Sequence, residues 1–385
     1  MNFSFNDRDF FAAPAFFQFL LIIAGAFIFS SSFPGIAPAF SEEITRGRLP
    51  EYFVRSGLFD DSTIAVLIDR KKYASDIEII SSGGVQRFFG KDFFCSKARL
   101  GGSRKSPVLM FPGFLAAVED ESGYSLINYL TVREYIASVL ISELETQNPD
   151  VMRALAVLVR TLVFKEIDKR FSGGAGCRHP GEKAFLICAR THCASYRGLF
   201  SVKSYLKALS AVKDVSGMAL FAGAAPVEVF YSACCGGSVT RASEIYHYVS
   251  GDGYFENKPC LCGAEAKKWR NIYPADELGR LFGFAVYSLQ AQHSPYFIIV
   301  NKKFKYSFDS FISKIEKSRL SRLKSPFFEA AYDDGLRAFV LNGRGMGHSA
   351  GLCIRGSSII QKQGGDYKKI LNYYYKSCNL KSVDL

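Results

Sequence analysis

A carboxylate on an otherwise apolar helical face is the first group in this chain that could do chemistry. Four apolar residues and one glutamate recur at helical spacing and share one face: Val132, Ile136, Val139, Leu140 and Glu143. Burial disfavours a charged carboxylate and raises its pKa, which a general acid near neutral pH requires. Glu145 lies off this face and is expected to be solvated. The alternative for Glu143 is a helix-end glutamate that reaches water.

A second helix is predicted directly after the first. Asn148-Pro149-Asp150 supplies an N-cap residue, a proline at the first helical position and an acid in the first turn. The body of this helix, Ala154–Phe164, is apolar apart from Arg160 and Thr161. An arginine in such surroundings needs an acceptor. Glu143, a substrate carboxylate or loop carbonyl oxygens would each satisfy it.

The glycine-rich segment Gly343–Cys353, GRGMGHSAGLC, is the third candidate for a site. It follows a strand-like run, Arg337–Leu341, and precedes a helix-like run, Gly356–Gln363. Glycine permits positive φ and close approach of another chain or a ligand. The segment therefore predicts a turn that presents His348 at a cleft, or else a tight connection in which the histidine is incidental.

The chain has ten cysteines, which could bind metal ions or form disulfide bonds. His179, Cys188 and Cys193 lie within fifteen residues, with His192 adjacent, and thiolate and imidazole at such spacing suit tetrahedral zinc. Disulfides are the competing interpretation, since an oxidising compartment favours them. Two further groups, Cys234-Cys235 and Cys260-x-Cys262, indicate a disulfide pair or a second metal site.

The N-terminal segment predicts the cellular location of the protein, and the net charge indicates the kind of partner it binds. Ala15–Phe29 has no charged residue and precedes Ala37-Pro38-Ala39, so residues 1–40 are predicted to be a signal peptide or an uncleaved anchor. Either places the chain in the periplasm or on the outer face of the cytoplasmic membrane, with membrane contact by this segment only. The net charge of +12 favours a polyanionic partner. Export and the lack of a nucleic-acid motif argue against nucleic acid.

The elements that position these residues follow from periodicity. Strands are predicted at Thr63–Asp69, Asp76–Ile80, Pro107–Phe111 and Phe114–Val118. The fold class is therefore α+β, with a β-rich N-terminal lobe at 41–125 and a catalytic core at 126–378 that holds a buried helix pair and antiparallel β segments.

Three stretches in this order resemble the SpoIID/LytB family, the peptidoglycan lytic transglycosylases related to stage II sporulation protein D. They are Glu134–Phe164; THCASYRG at Thr191–Gly198 with FYSACCGGSVT at Phe230–Thr240; and Gly343–Tyr375, which ends in GGDYKKILNYYY. The sequence departs from the family pattern at three places: Ala194 replaces a glutamine, Ser349 a glycine, and Cys234-Cys235 part of a serine-rich strand. These departures leave the subsite preference open.

The resemblance implies an activity and roles for individual residues. Glu143 would act as general acid and base on the β-1,4 MurNAc–GlcNAc bond of glycan strands stripped of stem peptides, with formation of 1,6-anhydroMurNAc. The implied substrate-binding residues are Arg160, Tyr196, Ser232, Arg344 and His348, and the implied zinc ligands are His179, Cys188 and Cys193.

Two other classes of function remain open at this level. Some relatives are amidase enhancers or wall-binding partners, so a non-catalytic glycan-binding protein that meets an amidase or the divisome is the alternative. A zinc-dependent peptidase or amidase would need a ligand set with a general base, such as H-E-x-x-H, which this sequence lacks.

Overall fold

The computed structural model describes residues 63–71, 77–81, 85–88, 91–100, 106–120, 123–171, 186–189, 193–246, 249–293 and 296–383. Helices and mostly antiparallel strands make up these ranges, which confirms the predicted α+β class. Within these ranges no helix has the length and apolar character needed to cross a bilayer. The predicted targeting segment, residues 1–40, lies outside the described residues.

The described chain divides into two compact units. The first comprises residues up to Ser142, Leu162–Lys213 and Val383, and the second comprises Glu143–Thr161 and Asp214–Ser382. The boundary predicted between residues 125 and 126 falls inside a strand of the first unit, Gly123–Thr131.

The first unit is built on two sheets. One has the strand order β6-β7-β1-β8, and in the other β4 pairs with β2, β3 and β5. The strands predicted near residues 63, 77, 108 and 114 are all present. The eight strands are β1 (Thr63–Lys71), β2 (Ile77–Ser81), β3 (Val85–Phe88), β4 (Lys91–Leu100), β5 (Val108–Pro112), β6 (Phe114–Asp120), β7 (Gly123–Thr131) and β8 (Ile187–Cys188).

Three helices follow, α1 (Val132–Glu143), α2 (Pro149–Phe171) and α3 (Val202–Asp214). Local capping sets where the first two begin. Thr131 and Glu134 form a reciprocal capping box, in which the Thr131 amide donates to the Glu134 carboxylate at 3.0 Å and the Glu134 amide donates to Thr131 Oγ1 at 3.3 Å. The Asn148 side chain accepts from the amides of Asp150 and Val151 at 3.0 and 3.3 Å. The predicted helix pair is therefore confirmed.

The second unit adds short strands and helices along the rest of the chain. Its strands are β9 (Met218–Ala222), β10 (Ala225–Pro226), β11 (Tyr231–Ser232), β12 (Ser238–Val239), β13 (Lys258–Pro259), β14 (Lys268–Pro274), β15 (Leu289–Gln292), β16 (Phe297–Val300), β17 (Phe304–Tyr306), β18 (Phe328–Asp333), β19 (Ala338–Arg344), β20 (Leu352–Cys353) and β21 (Asn379–Ser382). Its helices are α4 (Ala242–Ile245), α5 (Ala275–Phe282), α6 (Phe308–Ile315), α7 (Ile354–Lys362) and α8 (Tyr367–Tyr374).

The three-stranded sheet with the longest strands among the described residues of this unit, β14-β19-β18, packs on a core that includes Tyr273, Phe311 and Leu341. Gly343, opposite Trp269 in the β14–β19 ladder, is required by close approach, because an added Cβ would lie 2.2 Å from the indole. A second, two-stranded pairing joins β11 and β20 in parallel, with Tyr231 opposite Leu352 and Ser232 opposite Cys353. This pairing brings two segments of the predicted site together.

Candidate functional site

Glu143 is the last residue of α1, and its carboxylate is half-buried. The four apolar residues predicted to share its face are buried, as is every residue from Tyr135 to Ile141. Tyr231, from β11, donates a hydrogen bond from its hydroxyl to Glu143 Oε1 at 3.3 Å. The helix end and the β11 strand therefore meet at this carboxylate.

Glu145 has a different environment two residues later. Its side chain is 82% exposed, and Oε1 lies 2.8 Å from Lys267 Nζ. The hydrogen bond from Lys267 lowers the pKa of Glu145. The expectation of a solvated side chain is confirmed, and with its pKa lowered this carboxylate holds no proton to donate at neutral pH.

Arg160 lies inside α2 and is 5% exposed. Its Nη1 donates to the carbonyl oxygens of Val215 at 2.6 Å and Met218 at 3.3 Å. Burial lowers the pKa of Arg160 to about 10, so the guanidinium remains charged at neutral pH. Of the acceptors considered from the sequence, loop carbonyls are the ones it contacts. Arg160 thereby ties α2 to the chain that leads into β9.

Ser232 lies in the β11–β20 pairing, and His348 lies in the loop that precedes β20. Ser232 is 4% exposed, and its hydroxyl has no hydrogen-bond partner among the described residues. Gly347 lies directly against it, since an added Cβ there would be 2.7 Å from Ser232 Cβ. Buried hydroxyls are normally satisfied, so this one is a candidate to bond a ligand.

The His348 side chain is half-buried and packed against its neighbours. Its Nδ1 accepts from the Ala350 amide at 3.1 Å, and its edges pack against Phe230 and Tyr246. Burial lowers the pKa of His348 to about 4, although a hydrogen bond with the Tyr231 backbone opposes the shift. The imidazole is therefore neutral at pH 7, and its contacts order the loop beside Tyr231.

The loop also accommodates one departure from the family pattern. Ser349 has φ of +68°, in the left-handed region that favours glycine. Its hydroxyl donates to the Cys235 carbonyl at 3.0 Å, and the residue is fully buried. The serine gains this hydrogen bond at a position where its backbone is strained.

Arg344, the last residue of β19, is exposed. It lines an open groove of about 680 Å³ together with Lys268, Trp269, Arg270, His293, Phe327, Phe328, Glu329, Asn342 and Gly343. Three cationic side chains face one carboxylate there, so the groove suits an anionic ligand. Glu143 is not among the residues that line it.

Tyr196 and the predicted zinc ligands belong to the first unit. Tyr196 is 3% exposed, its hydroxyl donates to Asn128 Oδ1, and its ring stacks with Tyr135. These contacts describe a core tyrosine. Cys188 and Cys193 are buried with their sulfur atoms 3.9 Å apart. With zinc–sulfur bonds of about 2.3 Å, two ligands of one tetrahedral ion lie about 3.8 Å apart, so this pair fits zinc. His179 lies outside the described residues.

Part of the chain matches a known protein family. A family model described as "SpoIID: Stage II sporulation protein" matches residues 120–221, which include α1, α2, Glu143 and Arg160. This match supports membership of the SpoIID family. The chain is also 24% identical over 268 residues to an uncharacterized protein of Brachyspira hyodysenteriae, an alignment that covers 66% of this chain and 68% of that protein.

The SpoIID family is associated with cell-wall lytic activity. The matched SpoIID segment ends at residue 221, before Tyr231, Ser232, Arg344 and His348. Sequence reasoning missed Tyr231 as a contact of Glu143. The signal available was its place in FYSACCGGSVT, directly before the serine that the family resemblance had already selected. It also missed Cys353 as a neighbour of the other cysteines, because the spacing of Cys353 in the chain marks no motif.

Proposed function

We propose that this SpoIID protein is a lytic transglycosylase that cleaves the β-1,4 bond between MurNAc and GlcNAc in peptide-stripped glycan strands. One observation carries the proposal. Glu143 is a half-buried carboxylate at the end of a buried helix, with a tyrosine hydroxyl bonded to Oε1. Glu145 is exposed and ion-paired, and Glu134 caps the start of the helix by accepting from Thr131, which leaves Glu143 as the candidate acid.

A single carboxylate suffices for this reaction, whereas glycosidases that retain or invert configuration generally use two. Glu143 gives its proton to the glycosidic oxygen, and the bond from that oxygen to C1 of MurNAc breaks. GlcNAc leaves with a free hydroxyl at C4. The Glu143 carboxylate then takes the proton of the C6 hydroxyl, O6 bonds to C1, and the 1,6-anhydro ring closes. Tyr231 holds the carboxylate in position during both transfers.

The charge of the protein supports an acidic glycan as substrate. Removal of stem peptides exposes one lactyl carboxylate on each MurNAc, so a bare strand is a polyanion. The net charge of +12 and the cationic groove at Lys268, Arg270 and Arg344 suit such a strand. The Ser232 hydroxyl, which has no hydrogen-bond partner among the described residues, would bond a sugar oxygen. Cleavage should weaken as salt rises, because screening reduces the attraction of the strand.

The remaining elements of the proposal are zinc and export. His179, Cys188 and Cys193 would hold one zinc ion with a structural role in the first unit, supported by the Cys188–Cys193 sulfur separation of 3.9 Å. Residues 1–40 would direct the protein to the periplasm or to the outer face of the cytoplasmic membrane. An amidase or a divisome component would be its protein partner there.

Product analysis tests the activity. Purified protein is incubated with peptide-free strands and, separately, with intact peptidoglycan, and the products are identified by mass. Products with anhydro ends, each lighter by one water than a hydrolysis product, are expected mainly from bare strands. Strands that are bound yet remain uncut would favour the non-catalytic amidase enhancer. Equal turnover of both substrates would contradict the proposed preference for bare strands.

A further inference from the structure

Four buried cysteines converge in the second unit, apart from the residues assigned a role in catalysis. Cys235, Cys260, Cys262 and Cys353 have exposures of 0%, 6%, 0% and 0%, and their sulfur atoms all lie within 4.8 Å of one another. They come from three segments: the turn after β11, the turn after β13, and the end of β20. All four are thiols without a disulfide bond.

The dimensions of this cluster suit one metal ion. Tetrahedral zinc with sulfur bonds of about 2.3 Å places its sulfur ligands about 3.8 Å apart. The Cys235 and Cys262 sulfur atoms are 3.4 Å apart, and every other pair is within 4.8 Å. An iron–sulfur cluster puts several iron atoms between its cysteines and needs more separation than one ion does. Four mutually close sulfurs are also unlike two disulfides, which pair sulfurs two by two.

We propose that Cys235, Cys260, Cys262 and Cys353 bind one zinc ion as a closed, four-thiolate structural site. Four protein ligands leave no open position for substrate or water, so the ion is structural and takes no part in bond cleavage. The site differs from the His179, Cys188 and Cys193 set in its ligands and in its compact unit. It does not depend on the proposed glycan chemistry.

The protein around the sulfurs is arranged for a thiolate. Cys353 Sγ accepts from the amide of Cys235 at 3.3 Å and from the amide of Gly356 at 3.4 Å. Cys353 is also the N-cap of α7, whose helix dipole favours negative charge at that end. Such amide-to-sulfur bonds orient a metal ligand and stabilise its charge.

Gly356 supplies a second, steric indication. A Cβ at this position would lie 2.7 Å from Cys260 Sγ and 2.2 Å from the Tyr374 hydroxyl. The first turn of α7 can therefore close over the sulfurs only with glycine at this position. The Tyr374 hydroxyl lies 3.5 Å from Cys260 Sγ and completes the enclosure on that side.

The ion would act as a cross-link between segments that are distant in sequence. Cys235 follows Tyr231 by four residues, and Cys353 is paired opposite Ser232 in the β11–β20 register. Holding these two segments together fixes the short strand from which Tyr231 reaches Glu143. Two-residue strands supply little stability alone, so a metal cross-link accounts for their order.

A fifth cysteine provides a matched control. Cys234 is buried next to Cys235, and its sulfur is 3.9 Å from that of Cys262, yet it is not one of the four mutually close ligands. Cys234→Ser replaces a buried thiol with a hydroxyl, as the ligand variants do, at the residue next to Cys235. The proposal requires zinc to survive that change and to be lost when Cys235 or Cys262 is replaced.

The experiment uses the full chain, purified without reductant. Zinc and iron are measured in the wild type and in a variant with Cys188→Ser and Cys193→Ser. The double variant is expected to retain one zinc per chain, whether or not the first unit binds its own ion. Cobalt added to this variant after zinc removal should give the absorption of a tetrahedral four-thiolate complex. Cys234→Ser in this background should keep the zinc, and Cys262→Ser should lose it.

Three results would overturn the proposal. The first is a disulfide between any two of the four cysteines, found by mass mapping of the unreduced protein. The second is iron in place of zinc. The third is loss of metal from Cys234→Ser with retention in Cys235→Ser, which would show a different ligand set. If a ligand variant fails to fold, titration of the folded double variant with a mercurial should release one zinc as four thiols react.

Discussion

The Tyr231 hydroxyl donates a hydrogen bond to Glu143 Oε1 at 3.3 Å, although 88 residues separate the two in the chain. Glu143 ends a helix that local capping places, whereas Tyr231 sits on a two-residue strand that pairs with β20. The carboxylate is therefore positioned by a helix on one side and by a non-local strand pairing on the other. Substitutions at this contact should therefore reduce turnover without unfolding the protein.

Replacing Glu143 with glutamine should abolish anhydro-product formation. The amide has nearly the same shape but cannot give up a proton, so folding and glycan binding should persist while turnover falls about 100- to 10,000-fold. The rate at which anhydro products form from bare strands measures this loss of turnover. Glu145→Gln is the control. Because the Glu145 side chain is exposed, this substitution should leave turnover nearly unchanged. Loss of activity in that control alone would mean that Glu145 is the acid.

Replacing Tyr231 with phenylalanine should slow cleavage without unfolding the protein. A hydrogen bond to a charged group contributes about 1.5–3 kcal/mol, so turnover should fall roughly 10- to 100-fold while strand binding changes little. Steady-state rates on bare strands, with the thermal midpoint measured alongside, distinguish the two effects. Tyr332→Phe is the control because Tyr332 is 46% exposed on β18. Unchanged turnover in Tyr231→Phe would show that Glu143 needs no such partner.

Replacing Arg160 with methionine should destabilise the protein more than it alters chemistry. The change removes the guanidinium donor from the carbonyl oxygens of Val215 and Met218, although the Met218 amide still donates to Val215, at a cost of about 1.5–3 kcal/mol in the free energy of unfolding. Denaturant titration measures it.

The control for this loss lies in the same helix. Arg153 forms part-exposed ion pairs with Asp150 and Asp214, so Arg153→Met should cost less than about 1 kcal/mol. A stable Arg160→Met protein that no longer binds bare strands would instead assign Arg160 to the substrate.

His348 should make stability depend on pH. Burial lowers its folded-state pKa to about 4, below the ordinary value of 6.5. Between these values the unfolded chain binds the proton and the folded chain does not, so stability falls as pH drops from about 6.5 towards 4. The contribution is on the order of 1–3 kcal/mol. His348→Asn keeps an acceptor for the Ala350 amide and should flatten the pH profile in this window. An identical slope in wild type and variant would exclude His348 as the titrating group.

Local sequence determined much of this protein. The starts of α1 and α2 follow from Thr131, Glu134, Asn148 and Pro149, because capping depends on residues within one turn. The strands of the first unit follow from alternation and turn residues. The buried face of α1 was correctly predicted as well. Because every residue from Tyr135 to Ile141 is buried, whichever face it lies on, periodicity alone did not single out Glu143.

Only the tertiary structure decided which distant groups meet. Arg160 had three plausible acceptors from sequence, and the fold supplied the carbonyl oxygens of Val215 and Met218. Tyr231 reaches Glu143, and Cys353 joins Cys235, Cys260 and Cys262, through the parallel pairing of β11 with β20. Strand pairing of this kind depends on the energy of the whole packed unit, which no local spacing of residues records.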